Sequence, residues 1–93
     1  ALYLVYLRGN AYLATHQSAS AAGEFQEILD HYGVVGNEPI GALAHLGLAR
    51  AYALSGDAPK ARITYQDFLA LWQNADPDLP IFNEAKTEYA KLK

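Results

Sequence analysis

Cysteine and methionine are absent from this 93-residue chain, tryptophan occurs once, and only 18% of residues are charged. Without thiols there is neither a disulfide framework nor a thiolate metal site, so the fold must rest on apolar packing. Neither sign of charge dominates: seven Lys and Arg against ten Asp and Glu give a net charge of −3. That balance counts against a phosphate-backbone partner, and no nucleic-acid partner is expected. Long hydrophobic runs are also missing, because Arg8, His16 and Arg50 interrupt the apolar stretches. None reaches the ~20 residues of a spanning helix or the pattern of a signal peptide, so no membrane insertion and a cytoplasmic location are expected. A start without methionine, running straight into Ala1-Leu2-Tyr3-Leu4-Val5-Tyr6-Leu7 in helical pattern with no N-cap, reads as a fragment of a larger protein.

What the chain does have is apolar mass and an internal repeat. Hydrophobic residues make up 52% of it. Much of that share is alanine, the best helix former and one that lets helices pack closely. The stretch from Gly9 to Leu29 recurs forty residues later, from Ala49 to Leu69. Ala11 matches Ala51, Tyr12 matches Tyr52, Ala21 matches Ala61, Phe25 matches Tyr65, Gln26 matches Gln66, Ile28 matches Phe68 and Leu29 matches Leu69. Repeats of this size are stacked supersecondary units rather than catalytic domains. Gly9 and Ala49 with Tyr12 and Tyr52, and Ala21 and Ala61 with Phe25 and Tyr65, set small residues beside rings at helical spacing, which predicts paired helices with interlocking faces.

These four positions resemble the tetratricopeptide repeat, in which a small residue, an aromatic, an alanine and a second aromatic recur in that order. The resemblance covers roughly residues 2 to 73. It implies an all-α fold, a right-handed α-α superhelix of two helix-turn-helix repeats with a C-terminal capping helix. Repeat 1 spans about 2–31, a lengthened loop 32–38, repeat 2 about 39–73 and the cap about 79–92, all in a single domain 1–93. Val5 and His45 stand where the family often has tryptophan, and the period is forty rather than about 34 residues. The excess falls between Asp30 and Ala42, a stretch holding Gly33, Gly36, Pro39 and Gly41.

Turn and cap chemistry predicts five helices. The first runs from about residue 2 to 15, and the second follows the Gln17-Ser18 turn to about Asp30, with Gly33 as its stop. The third is capped by Asn37 or Glu38, carries Pro39 in its first turn and ends at Ser55-Gly56. Asp57 caps the fourth, which ends near Gln73, and Asp76-Pro77-Asp78 breaks the chain before the fifth. That last helix sets Glu84, Lys86, Glu88, Lys91 and Lys93 around an apolar stripe of Ile81, Phe82, Ala85, Tyr89 and Leu92, the expected form of a solvating cap.

The resemblance implies a peptide-binding concave face formed by the first helix of each repeat. Its positions fall on Tyr3, Tyr6, Asn10, Leu13 and Ala14 in the first unit and on Leu43, Leu46, Arg50, Ala53 and Leu54 in the second. Apolar and aromatic anchors with one amide and one guanidinium suit an extended peptide or a helix laid in a groove. Arg50 could pair with a carboxylate and Asn10 could hold a peptide backbone. Burial of these leucines and tyrosines by the fifth helix or by a neighbouring repeat is the alternative. A two-carboxylate clamp of the kind that takes chaperone C-termini lacks its residues, because Tyr6, Leu7, Leu43 and Gly47 occupy the other clamp positions.

Candidates for chemistry are few. His16, His31 and His45 fall in three different contexts, with no pair at metal-ligand spacing. His16 is expected in a solvent-facing turn, His31 at a helix end, and His45 as a packed side chain with a hydrogen-bonded nitrogen. Glu24, Glu27 and Asp30 read as a solvated helix face. Trp72 is expected to pack rather than to anchor a partner. No nucleophile has an evident base, and no Gly-Lys-Ser/Thr sequence follows the glycines of the loop, so no enzyme activity, metal or cofactor is expected.

A second resemblance lies in residues 31 to 93. The run from Gly33 to Leu54, followed by Tyr65 to Trp72 and Ala75 to Pro80, looks like the C-terminal repeat region of bacterial serine/threonine protein kinases and related signalling proteins. None of the lysine, His-Arg-Asp or Asp-Phe-Gly elements of kinase chemistry is present here, so kinase activity would reside in the missing parent region. The resemblance implies a non-catalytic protein–protein interaction module, a scaffold or sensor within a larger signalling protein. The alternative is a self-association module that forms a homo-oligomer through the exposed first helix.

Overall fold

A computed structural model describes residues 2–32, 39–72 and 80–92. Among them are five α-helices and no strand: α1 (Leu2–Ala14), α2 (Ser18–Tyr32), α3 (Pro39–Leu54), α4 (Ala58–Trp72) and α5 (Pro80–Lys91). Helix α2 runs two residues past the expected Asp30. Asn37, Glu38, Gly33, Gln73 and the Asp76-Pro77-Asp78 break lie outside the described residues. No described helix is long and apolar enough to cross a membrane.

The repeat is visible in the backbone. After α1, the Gln17 amide donates to the Tyr12 carbonyl (2.8 Å) and the Ala21 amide to the Gln17 carbonyl (2.9 Å). After α3, forty residues on, Asp57 donates to Tyr52 (2.9 Å) and Ala61 to Asp57 (3.0 Å). His16 and Gly56 occupy matching left-handed positions, at φ 60° and 87°. Glycine takes that conformation without steric cost, and histidine is among the few other types that visit it. Asp57 caps α4 as expected, its carboxylate accepting from the Lys60 amide at 3.3 Å.

The two apolar clusters share three matched positions, Ala21, Phe25 and Ile28 in one and Ala61, Tyr65 and Phe68 in the other. One joins α1, α2 and α3 through Val5, Ala21, Phe25, Ile28, Ala44, Leu48 and Ala51, all buried. The other joins α3, α4 and α5 through Ala42, Leu46, Ala49, Ala61, Tyr65, Phe68 and Ala85. Trp72 packs on Phe68 with ring centroids 5.2 Å apart, at the edge of this second cluster.

Phe25 decides how α1, α2 and α3 meet. Its ring lies between two glycines on different helices: a Cβ added at Gly9 would sit 2.8 Å from the ring, and one added at Gly47 would overlap its Cε1 and Cζ. The small residue at position 9, expected to let a second helix approach with Tyr12 filling the space beside it, receives the Phe25 ring of α2, and Gly47, read only as a position unsuited to a clamp, is the second half of the Phe25 seat.

His45 departs from expectation in another way. Its Nδ1 is buried without a hydrogen-bond partner, rather than bonded. Burial pushes its pKa below 6.5, against a weaker opposing pull from Asp67. A depressed histidine contributes stability that is complete above the unfolded value of 6.5 and is lost as pH falls below it through the lower folded value. Val5 occupies the matching place in the first unit, and it is buried. His45→Val is therefore expected to raise stability by about 1 kcal/mol and to flatten this pH dependence, as read by thermal melts on either side of pH 6.5. An unchanged pH slope would contradict the assignment.

Candidate functional site

The positions expected to face a partner divide into four groups. Tyr3 is 63% exposed and stacks on Tyr6 with centroids 6.5 Å apart. Tyr6 is half-buried and meets the Phe25 ring edge-on at 6.0 Å, and Leu13 is also half-buried against the first cluster. Asn10 and Leu43 are half-buried, while Ala14 and Leu54 are exposed. Leu46 is only 1% exposed, so it is a core residue and not a reading position. It lies in the second cluster because the turn of α3 that carries it packs on α4, with Ala53 half-buried beside the same cluster.

Arg50 is occupied from within the chain. Its Nε donates to Glu88 Oε1 at 2.9 Å and its terminal amine to Oε2 at 2.8 Å, a two-point grip of α3 on α5. Tyr65 of α4 donates its hydroxyl to the same Oε1 at 2.7 Å, so one carboxylate joins three helices. From the next residue of each helix, Gln66 donates to the Tyr89 hydroxyl at 2.7 Å. Glu88 was expected on a solvated face of the cap; instead it is half-buried and fully engaged. An open hollow lined by Asn83, Glu84, Thr87 and Glu88 flanks this junction.

Electrostatics follow from this geometry. The hydrogen bond to Glu88 and its charge hold Arg50 above its ordinary value, against the opposing effect of burial. Burial, reinforced by the bond to Glu88, pushes the Tyr65 hydroxyl well up. For Glu88 itself burial acts upward, but the bonds from Arg50 and Tyr65 outweigh it and leave the carboxyl below 4.5. A depressed carboxyl stabilises the fold above its unfolded value and loses that contribution as pH falls through the folded one. Acid melts below pH 4.5 should therefore show a stability loss that Glu88→Gln reduces; an identical acid limb in the variant would deny the junction this role.

The sequence held only an indirect signal for this junction. Glu88 and Arg50 are 38 residues apart, on α5 and α3. A cationic position on α3 and an acidic turn on the last helix are complementary, but their register depends on how α5 lies on α4.

Elsewhere, Glu24 accepts from Arg8 at 2.8 Å, and Asp30 accepts from Gln26 at 3.0 Å, while Glu27 is exposed. His16 and His31 are exposed. Among the described residues no three His, Asp or Glu side chains converge as metal ligands. The arrangement offers surface contacts, with rings, amides and one engaged guanidinium. No protein family, no curated protein and no solved structure matches the chain.

Proposed function

We propose that the chain is a non-catalytic interaction module of the tetratricopeptide type, which binds a protein or peptide along the face shared by α1 and α3. In this reading it is the scaffold or sensor part of a larger cytoplasmic signalling protein, such as a bacterial serine/threonine kinase whose catalytic domain lies outside this chain. The observation that carries the reading is the forty-residue recurrence of the helix-turn-helix corner, down to matching backbone bonds at Tyr12 and Tyr52. Repeated hairpins of this kind form extended surfaces for partners rather than enclosed sites for small substrates.

The usable part of the face is narrower than the family pattern implies. Leu46 is withdrawn into the core and Arg50 is held by Glu88, which leaves Tyr3, Asn10 and Leu43 as the accessible anchors, with Leu54 at the far end. Tyr3 offers a broad ring, Asn10 can both donate to and accept from a peptide backbone, and Leu43 adds apolar contact. Peptides selected from a random displayed library against the intact chain should lose at least about tenfold in affinity to a Tyr3→Glu/Asn10→Ala/Leu43→Glu variant. Equal affinity in a variant that melts like the parent would exclude this face.

A further inference from the structure

Glu88 behaves as a ligand of the other helices. Among the described residues, every group that donates to its carboxylate lies elsewhere: Nε and the terminal amine of Arg50 on α3, at 2.9 and 2.8 Å, and the Tyr65 hydroxyl on α4, at 2.7 Å. A planar guanidinium and a hydroxyl converging on one carboxylate form a cradle of specific geometry. The two walls of this cradle are joined by their own apolar contact. Leu46 and Ala49 of α3 and Ala61, Tyr65 and Phe68 of α4 are buried in one cluster.

Helix α5 contributes less to that cluster. Ala85, with a single methyl, is its one buried side chain among the described residues. Ile81, Phe82, Tyr89 and Leu92 stay half-buried, and Gln66 adds a polar tie to the Tyr89 hydroxyl. The helix is thus held in large part by polar side-chain bonds, which an equivalent group from another molecule can replace. The Arg50 and Glu88 side chains are 30% and 34% exposed, so such a group has access to them.

Charge indicates what that group is. Neither α1 nor α3 holds an acidic residue, and Arg50 is the only Lys or Arg of α3. The carboxylates that act on Arg50 are Glu88 and Glu84, both on α5. If α5 leaves, both negative charges leave with it, and the guanidinium has no carboxylate on its own helix to turn to.

We propose that the Arg50–Tyr65 cradle is a binding seat for a glutamate-bearing amphipathic helix of a partner protein, and that α5 closes it as an internal competitor. The helix that fits reproduces the inner side of α5. It carries a small residue at the place of Ala85, a glutamate three positions on at that of Glu88, and a ring hydroxyl directly after it at that of Tyr89. The small residue lets the helices approach, the glutamate takes the three donors, and the hydroxyl meets Gln66. The seat lies on α3 and α4 and does not rest on the reading of the α1–α3 face.

Binding of a fluorescently labelled synthetic peptide of residues 80–92 to the intact chain, read by anisotropy, tests the proposal. In the parent chain the tethered α5 competes at high effective concentration, so the peptide should bind weakly. Ala85→Glu, which unseats α5, should tighten binding at least about tenfold. Glu88→Gln, which removes only the competing carboxylate, should tighten it by a smaller factor. Glutamine in the peptide at the place of Glu88, or Arg50→Met added to the Ala85→Glu chain, should each weaken binding to that chain about tenfold. Equal binding to the parent and to both single variants, or indifference to the peptide's glutamate, would overturn the proposal. So would light scattering that shows dimers of the parent held by exchange of α5, since the seat would then belong to a second copy. Adding Tyr3→Glu, Asn10→Ala and Leu43→Glu to the Glu88→Gln chain should leave peptide binding unchanged, so this seat and the α1–α3 face can fail separately.

Discussion

Gly47→Ala should destabilise the protein by about 1–3 kcal/mol, although the same exchange in an ordinary helix interior stabilises by about 0.5–1 kcal/mol. The reversal comes from Phe25. A methyl at position 47 would overlap the ring, and Gly9 blocks retreat on the other side, where a new Cβ would already be 2.8 Å away. The ring is fully buried, so it has no exposed direction in which to swing. Either α3 moves off α2 or Phe25 leaves its rotamer, and both disturb the first cluster. Gly23→Ala is the matched control: that glycine is also inside a helix but a Cβ there meets nothing within 4 Å. It should gain stability. Denaturant melts of the two variants decide the matter, and a loss at position 23 or a gain at position 47 would contradict the packing. A domain of this length holds roughly 5–14 kcal/mol in all, so the expected difference between the variants is a large share of it.

Ala85→Glu should cost about 3 kcal/mol and release α5 before the remaining helices melt. Ala85 is the one fully buried residue of α5, and its absent side chain lets α5 approach α4 closely. A glutamate there adds volume and an unpaired charge to an apolar contact. The neighbouring ties, Arg50 and Tyr65 to Glu88 and Gln66 to Tyr89, all depend on the position of α5 and would be lost together. Trp72 provides the readout: it is the only tryptophan, and it is half-buried beside the cluster that α5 completes. Its emission should shift to the red at temperatures where most of the helical signal persists. Coincident loss of both signals, at the parent's melting temperature, would mean that α5 is not separately held.

Release of α5 has a consequence for binding. Arg50 would then be free, and the face shared by α1 and α3 would gain the guanidinium that Glu88 now engages. Ala85→Glu is accordingly the variant in which an acidic peptide should bind more tightly than to the parent chain.

Much of the architecture was legible from local chemistry. Helix starts at Ser18, Pro39 and Ala58 follow from turn residues and caps, which act within a few positions of the chain. The recurrence of Ala21, Phe25 and Ile28 as Ala61, Tyr65 and Phe68 marked the buried faces in advance, because a repeated unit buries the same stripe twice. The exposed apolar face of α1 was also visible as a pattern without a capping partner. Leu46 was misplaced because leucine at a matched position reads equally well as core or as groove; periodicity gives the face of a helix but not the identity of its neighbour.

The amino-acid sequence by itself determined the helical elements, their forty-residue recurrence and the alternation of small residues with rings, since these depend on propensity, capping and spacing along one chain. Tertiary structure alone decided which ring fills which gap, that Phe25 reaches both Gly9 and Gly47, that His45 keeps an unbonded nitrogen, and that Arg50 closes on Glu88. Those outcomes require the relative placement of three helices at once. A shift of a few ångströms between helices leaves every local preference satisfied yet changes each of these contacts.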